Sequence, residues 1–309
     1  MKAQQIVVLA TGGTIAGRAA RADDVLGYRA GEVGVDELLA GLPAPEGVVV
    51  TGEQVAQVDS KDMDFALWRR LAARCRHWLD QTQVQAIVVT HGTDTLEETA
   101  WFLQRVLAPA KPVVLASAMR PASAPAPDGP QNIADAFTVP TNPRARGVVA
   151  VCAGSRPGAA DVRKVHPYRL DAFGSGDAGP IAYVEAGAVR QLRPWPVPSD
   201  STGLFELATR EQPWPWVEIV HSHAGVDGRA VQALVAAGVK GLVVAATGNG
   251  TVHALLEQAL LRAREQGVRV VRSSRCLEGP VMAQPLDALP ASPLTPAKAR
   301  VELLLQLLA

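Results

Sequence analysis

Two short apolar runs, each stopped by a threonine–glycine turn, limit the fold of this chain more than any other feature. Ile6-Val7-Val8-Leu9-Ala10 runs into Thr11-Gly12-Gly13-Thr14, and Val84–Thr90 runs into His91-Gly92-Thr93-Asp94. Apolar runs of this length fit strands buried on both faces. Helical patterns lie around them. Over Met63–Leu79 the apolar residues Trp68, Leu71, Ala72, Cys75 and Leu79 share one helical face. After the second run, Leu96, Ala100, Leu103 and Leu107 form a stripe, and Asp94 and Thr95 ahead of Glu97 and Glu98 have the form of a capping box. Pro112–Ala118 and Gly147–Ala153 are the next expected strands. Repeated strand–helix–strand units imply a parallel sheet with helices on both faces.

A length of 309 residues suggests two domains. The composition shifts near Arg190, where "RQLRPWPVPSDSTG" and then "EQPWPW" are rich in Pro and Trp and lack periodicity. Beyond them come expected strands at Val217–Val220, Gly241–Ala246 and Val268–Arg272, with helices at 227–237 and 251–266. A final helix, Pro296–Leu308, carries a Leu/Val face. That face and the Trp-rich linker are the expected surfaces for a subunit interface.

Several classes of protein are excluded. Thirty Lys and Arg balance thirty Asp and Glu, which leaves no electrostatic footprint for nucleic acid. No basic run suits a membrane surface, and no segment approaches the ~18 apolar residues of a membrane span. Lys2 precedes the first apolar run, but that run is too short for a signal peptide and has no cleavage site after it. Cys75, Cys152 and Cys276 are odd in number and far apart. They suit neither a disulfide framework nor a metal site and point to the cytoplasm. The six histidines have no metal-binding spacing either.

Three places carry chemistry. At the first Thr-Gly turn, Gly12 and Gly13 allow the backbone to approach a ligand, and a nearby threonine hydroxyl is a candidate nucleophile. The plainer reading is a tight turn or a phosphate loop, although neither G-x-G-x-x-G nor the P-loop pattern is present. At the second turn, Thr93 and Asp94 sit where a helix N-terminus favours anions, and capping is the plainer reading. The third place is Asp161-Val162-Arg163-Lys164. A lysine shielded from water and oriented by an Asp can serve as a base, whereas most lysines only face solvent.

Taken together, these residues resemble the bacterial L-asparaginase family. The likeness covers nearly the whole chain: "ATGGTIAG" (10–17), "YRAGEVGV" (28–35), "DSKDM" (59–63), "THGTDTLEETA" (90–100), "SAMRP" (117–121), "DGPQN" (128–132), "DVRK" (161–164), "GNG" (248–250) and "VVRSSR" (270–275). It implies that Thr14 is the first nucleophile, with Tyr28 closing over it from a mobile loop, and that Thr93, Asp94 and Lys164 form a second catalytic cluster; the sequence leaves open which of the two threonines takes the first step. Gly13 and Gly92 belong to the substrate-binding turns. Asp59, Ser60 and Lys61 would face the α-amino and α-carboxylate groups of the substrate, and Ala118 would offer its carbonyl to the side-chain amide. Asn249 would complete the site of a neighbouring subunit.

The fold expected on this basis is α/β in two domains: a larger N-terminal flavodoxin-like parallel-sheet domain over 1–187, a linker over 188–213, and a smaller C-terminal α/β domain over 214–309. The expected activity is hydrolysis of L-asparagine to L-aspartate and ammonia, with weaker glutaminase activity. No metal or cofactor is expected. The expected assembly is a homotetramer or homodimer with sites at the subunit interface. Two departures from the family stand out. Lys61 replaces the Gln or Glu common in secreted members. The segment after "SSR" is shortened, which leaves Glu278 and Asp287 as candidates for the acidic partner of Tyr28. Two other readings exist: the asparaginase-like subunit of a tRNA-dependent amidotransferase, usually marked by an N-terminal docking extension, and a non-catalytic amino-acid sensor.

Overall fold

The computed structural model describes residues 4–21, 23–24, 26–197 and 203–309. Lys2 and residues 198–202 of the expected linker lie outside them. The chain divides into two compact units, Met1–Phe205 and Glu206–Ala309.

In the first unit the alternation of apolar runs and helical patterns becomes β1 (Gln4–Gly12), α1 (Val35–Leu39), β2 (Val48–Val58), α2 (Phe65–Leu79), β3 (Val84–Thr90), α3 (Leu96–Leu107), β4 (Val113–Ala116), α4 (Gly129–Thr138) and β5 (Val148–Val151). The strands form one sheet in the order β2-β1-β3-β4-β5, and each neighbouring pair is parallel. This is the flavodoxin-like doubly wound order. Ile6, Val8 and Ala10 of β1 join a core with Val35 of α1 and with Ile133, Ala136 and Phe137 of α4. Val7 and Leu9 point to the opposite face and are equally inaccessible. Both faces of β1 are therefore buried, which explains its unbroken apolar run.

Helix α2 begins at Phe65 because the Asp64 side chain accepts the Leu67 N–H and so caps it. Its buried Trp68 stacks on Phe102 of α3, with ring centres 4.8 Å apart, and donates its indole N–H to Thr99. Such a stack contributes roughly 0.5–1.5 kcal/mol beyond simple burial. The capping box expected ahead of α3 does not form. Thr95 is the N-cap residue but makes no side-chain cap bond. Its hydroxyl donates instead to Ser60 O (2.7 Å), and the Asp94 carboxylate is held by Lys164.

After β5 the chain makes short strands: β6 (Ser155–Arg156), β7 (Arg163–Lys164), β8 (Phe173–Gly174), β9 (Ala182–Glu185) and β10 (Ala188–Gln191). Strand β10 pairs antiparallel with β9, and β9 with β6. Residues 188–191 of the expected linker are therefore sheet, and Trp195 is buried in the first unit's core. Helix α5 (Leu204–Thr209) spans the division between the units.

The second unit contains β11 (Val217–His221), α6 (Arg229–Ala236), β12 (Gly241–Ala246), α7 (Ala254–Glu265), β13 (Arg269–Ser274) and α8 (Pro296–Leu308). Its three strands form a parallel sheet in the order β11-β12-β13. Helix α8 packs on all three strands and buries Val301, Leu303, Leu304 and Leu305 there. The expectation that this apolar face serves a subunit interface is overturned: its own domain's sheet uses it. The exposed large apolar residues of this unit stand elsewhere, at Trp216, Leu255, Leu277, Met282 and Leu286. Among the described residues no helix is long and apolar enough to cross a membrane.

Candidate active site

Four neighbouring strands deliver the site from their carboxyl ends, where ligands bind in open α/β sheets. Thr14 opens a short 3₁₀ turn directly after β1. Asp59 and Ser60 follow β2, Thr93 and Asp94 follow β3, and Met119 follows β4. The chain leaves β1 for β2 on one side and later returns to add β3 on the other. The two threonine turns thus flank the topological switch point, where a crevice opens.

The turns are pressed together through main chain. Gly13 has φ +81°, a left-handed value that glycine adopts without strain, and a Cβ added there would lie 2.3 Å from the Cα and N of Gly92. A Cβ on Gly92 would lie 2.5 Å from Ser60 Oγ. The N–H of Gly13 donates to Val58 O (2.8 Å). The contribution of Gly13 is therefore close packing, and donors toward a ligand must come from other N–H groups of the two turns. Ser60 Oγ accepts the Asp94 N–H (3.2 Å), which joins the turn after β2 to the turn after β3.

Two threonine-centred groups face a shared cavity of about 220 Å³. Thr14 Oγ1 and the Tyr28 hydroxyl share a hydrogen bond of 2.6 Å. Tyr28 reaches there on a loop whose two ends, Arg18 and Arg29, exchange backbone hydrogen bonds of 2.9 Å. Lys164, on the two-stranded β7–β8 hairpin, donates from Nζ to Thr93 Oγ1 (2.8 Å) and to Asp94 Oδ1 (2.6 Å). Asp59 adds a carboxylate to the wall, and Leu26, Met119, Pro167 and Tyr168 add apolar surface. The volume falls below the ~300–1,000 Å³ of drug-sized sites and suits a small metabolite. Carboxylates and an ammonium on one wall suit a zwitterion.

The structure thus brings together Thr14, Tyr28, Asp59, Ser60, Thr93, Asp94 and Lys164. Ala118 is buried beside this group in the chain, next to the lining residue Met119. The other expected residues differ. The Lys61 ammonium bonds Asp59 (3.1 Å) and Asp62 (2.8 Å) and is not part of the cavity wall. These carboxylates hold its pKa above the usual lysine value, with the bond to Asp62 contributing most. Lys61→Gln is therefore expected to change kcat and KM for the substrate by less than about threefold, since no direct contact is lost. A tenfold rise in KM in steady-state kinetics would put the ammonium on the substrate after all.

Asn249 belongs to the second unit, where both edges of its amide are used: Nδ2 donates to Met282 O (3.0 Å) and Oδ1 accepts from Met282 N–H (2.7 Å). Asp287 is paired with Arg272, whereas Glu278 is exposed. The sequence reading missed Leu26, Met119, Pro167 and Tyr168. Met119 lay within "SAMRP"; Leu26 and Pro167 have no chemical group to mark them, and Tyr168 stands in no motif.

His91 sits beneath the second turn and is completely buried. Its Nδ1 lies 2.7 Å from Gly92 O, so this nitrogen carries the proton, and Nε2 meets no partner. Burial pushes its pKa down to about 4, against a smaller opposing effect of the Gly92 carbonyl. The unfolded chain, with His91 near its ordinary 6.5, binds the proton first as pH falls. The stability this residue contributes is complete above pH ~6.5 and is lost on the way down to pH ~4, by roughly 3 kcal/mol in all. His91→Asn should flatten that part of the pH–stability curve measured by denaturant unfolding. An unchanged slope would show that His91 does not titrate on unfolding.

Among the described residues, no cluster of three or more His, Cys, Asp or Glu could hold a metal ion.

Comparison with known proteins shows what the chain is similar to. Residues 5–196 match the family model "Asparaginase, N-terminal", and residues 216–309 match "Glutaminase/Asparaginase C-terminal domain". A glutaminase-asparaginase of Pseudomonas fluorescens biotype A is 36% identical, with 97% of this chain and 85% of that protein aligned. L-asparaginase 2 of Escherichia coli (strain K12) is also 36% identical, over 98% of this chain and 88% of its own length. Among solved structures, a probable cytoplasmic L-asparaginase from Campylobacter jejuni superposes with a TM-score of 0.90 at 34% identity, covering 98% of this chain and 95% of the other.

Proposed function

Because the chain belongs to the glutaminase/asparaginase family, we propose that it hydrolyses the side-chain amide of L-asparagine to give L-aspartate and ammonia, with L-glutamine as a slower substrate. The observation that carries this reading is the meeting, in one small cavity, of the Thr14–Tyr28 pair and the Thr93–Lys164–Asp94 cluster. Thr14 Oγ attacks the amide carbon, and backbone N–H groups of the two turns stabilise the oxyanion. The C–N bond then breaks, and the threonine proton leaves with the nitrogen as ammonia. Water adds to the acyl-enzyme, the Thr14 ester bond breaks, and a proton returns to the Thr14 oxygen. Thr93, held by Lys164 and Asp94, orients the water and relays protons. The Asp59 carboxylate suits the substrate's α-ammonium group. No step calls for a metal or cofactor.

Ammonia release from L-asparagine and L-glutamine, measured with purified protein, tests this directly. Failure to release ammonia from either amide would sink the reading. The Campylobacter neighbour is titled a probable cytoplasmic enzyme, and this supports a cytoplasmic location. A homotetramer or homodimer is the assembly we favour, and exposed Leu277, Met282 and Leu286 offer apolar surface for it. Sedimentation at assay concentration should show the dimer or tetramer, and an active monomer would rule out sites shared between subunits.

A further inference from the structure

Asp128 occupies the N-cap position of α4 yet makes no cap bond to that helix. A carboxylate there ordinarily accepts the N–H of the second or third helical residue. Asp128 turns instead toward the loop after β4: Oδ2 accepts the Met119 N–H (3.0 Å) and Oδ1 accepts the Arg120 N–H (2.9 Å). One helical turn further on, Asn132 is 2% exposed. Its Nδ2 donates to Ser117 O (2.8 Å) and also reaches Asp128 Oδ2 (3.3 Å), while its Oδ1 accepts the Ala153 N–H (3.1 Å).

These bonds hold the two peptide planes on either side of Ala118. The Ser117 carbonyl shares a plane with the Ala118 N–H, and the Met119 N–H shares a plane with the Ala118 carbonyl. A peptide unit is planar and trans, so its N–H and C=O point in opposite directions. Drawing the Met119 N–H toward α4 therefore aims the Ala118 carbonyl away from α4. We infer that Asp128 and Asn132 are positioning residues that aim the Ala118 carbonyl at the leaving nitrogen of the substrate amide. The inference rests on the amidohydrolase reading of the site. It explains why a helix forgoes its own cap: the carboxylate is used on the loop.

A carbonyl so placed accepts an N–H of the amide, and this bond strengthens when the departing nitrogen takes up the threonine proton and carries positive charge. An ester has no N–H to donate. The test compares L-asparagine with the β-methyl ester of L-aspartate, using Asp128→Asn and Asp128→Ala. Asp128→Asn keeps the volume and one acceptor oxygen; Asp128→Ala removes both. The expected result is a loss of kcat on the amide of about tenfold for Asp128→Asn and about a hundredfold for Asp128→Ala. Ester turnover should stay within about threefold of wild type.

Equal losses on amide and ester would overturn the assignment, because they indicate general damage to the site. Unchanged amide turnover would overturn it as well. If Asp128→Ala does not fold, Asp128→Asn decides. If neither folds, Asp128 is a folding residue and the assignment fails. A wild-type enzyme inactive on both substrates would refute the amidohydrolase reading itself, a result distinct from all of these.

Discussion

Thr14→Ala is expected to abolish turnover while leaving L-aspartate binding close to intact. The hydroxyl that this change removes is the atom proposed to bond to the amide carbon, so its loss should cost several kcal/mol of transition-state stabilisation. In rate this amounts to roughly a thousandfold or more. Binding should survive because the groups suited to the amino-acid end, Asp59 and Ser60, stand on the turn after β2, apart from Thr14. The substitution is small, and Thr14 is 9% exposed on a turn whose backbone bonds do not use its side chain. Its structural effect should be limited to losing the bond with Tyr28. Isothermal titration with aspartate and an ammonia assay on the same preparation check both halves. Residual activity above about a tenth of wild type would remove Thr14 from the nucleophile's role.

The second large effect is expected for Lys164→Met, which keeps the length of the stem and deletes the ammonium. Nζ is a donor shared by Thr93 Oγ1 and Asp94 Oδ1. Without it Thr93 loses its orientation, and Asp94, half exposed at its side chain, loses its ion pair. A lost acid–base group typically costs ~10²-fold or more in kcat. The side chain of Lys164 is only 20% exposed, so the change should affect the cavity rather than the solvent-facing surface. Normal kcat throughout pH 6–9 would show Lys164 to be a structural lysine.

How much of this was legible in the sequence depended on how each residue announces itself. Thr14 and Thr93 each follow a short apolar run that fits a strand buried on both faces, and a parallel sheet then brings their turns to one edge. Lys164 is different. It lies 71 positions from Thr93, and no local periodicity connects them; only the likeness of "DVRK" to a known family placed it. The two-residue strands β7 and β8 that carry it are too short to register as a pattern. The capping box failed because Lys164 and Ser60 arrive from elsewhere in the chain and take Asp94 and Thr95 away from the helix. Lys61 failed through short-range chemistry: two carboxylates within two residues hold its ammonium. The Leu/Val face of α8 was read correctly as apolar, but its destination is a tertiary fact. The sheet β11-β12-β13 needed a cover, and α8 supplies it.

The main-chain contact of Gly13 with Gly92, with the Ser60 side chain packed on Gly92, also divides the site into parts that differ in how far they can be redesigned. Hard atomic repulsion sets the spacing of the two threonine turns, and at Gly13, where the nearest atoms are all backbone, no side chain can flex to absorb even one added methyl group. Substrate range cannot be altered from this floor without moving Thr14 and Thr93 together. The rim is built differently. Leu26, Met119, Pro167 and Tyr168 line the cavity from loops outside that contact. Leu26 is 76% exposed and Tyr168 57%, so their side chains can be exchanged with little repacking. Variation confined to these positions would change which amide side chains enter while the reacting hydroxyls keep their places.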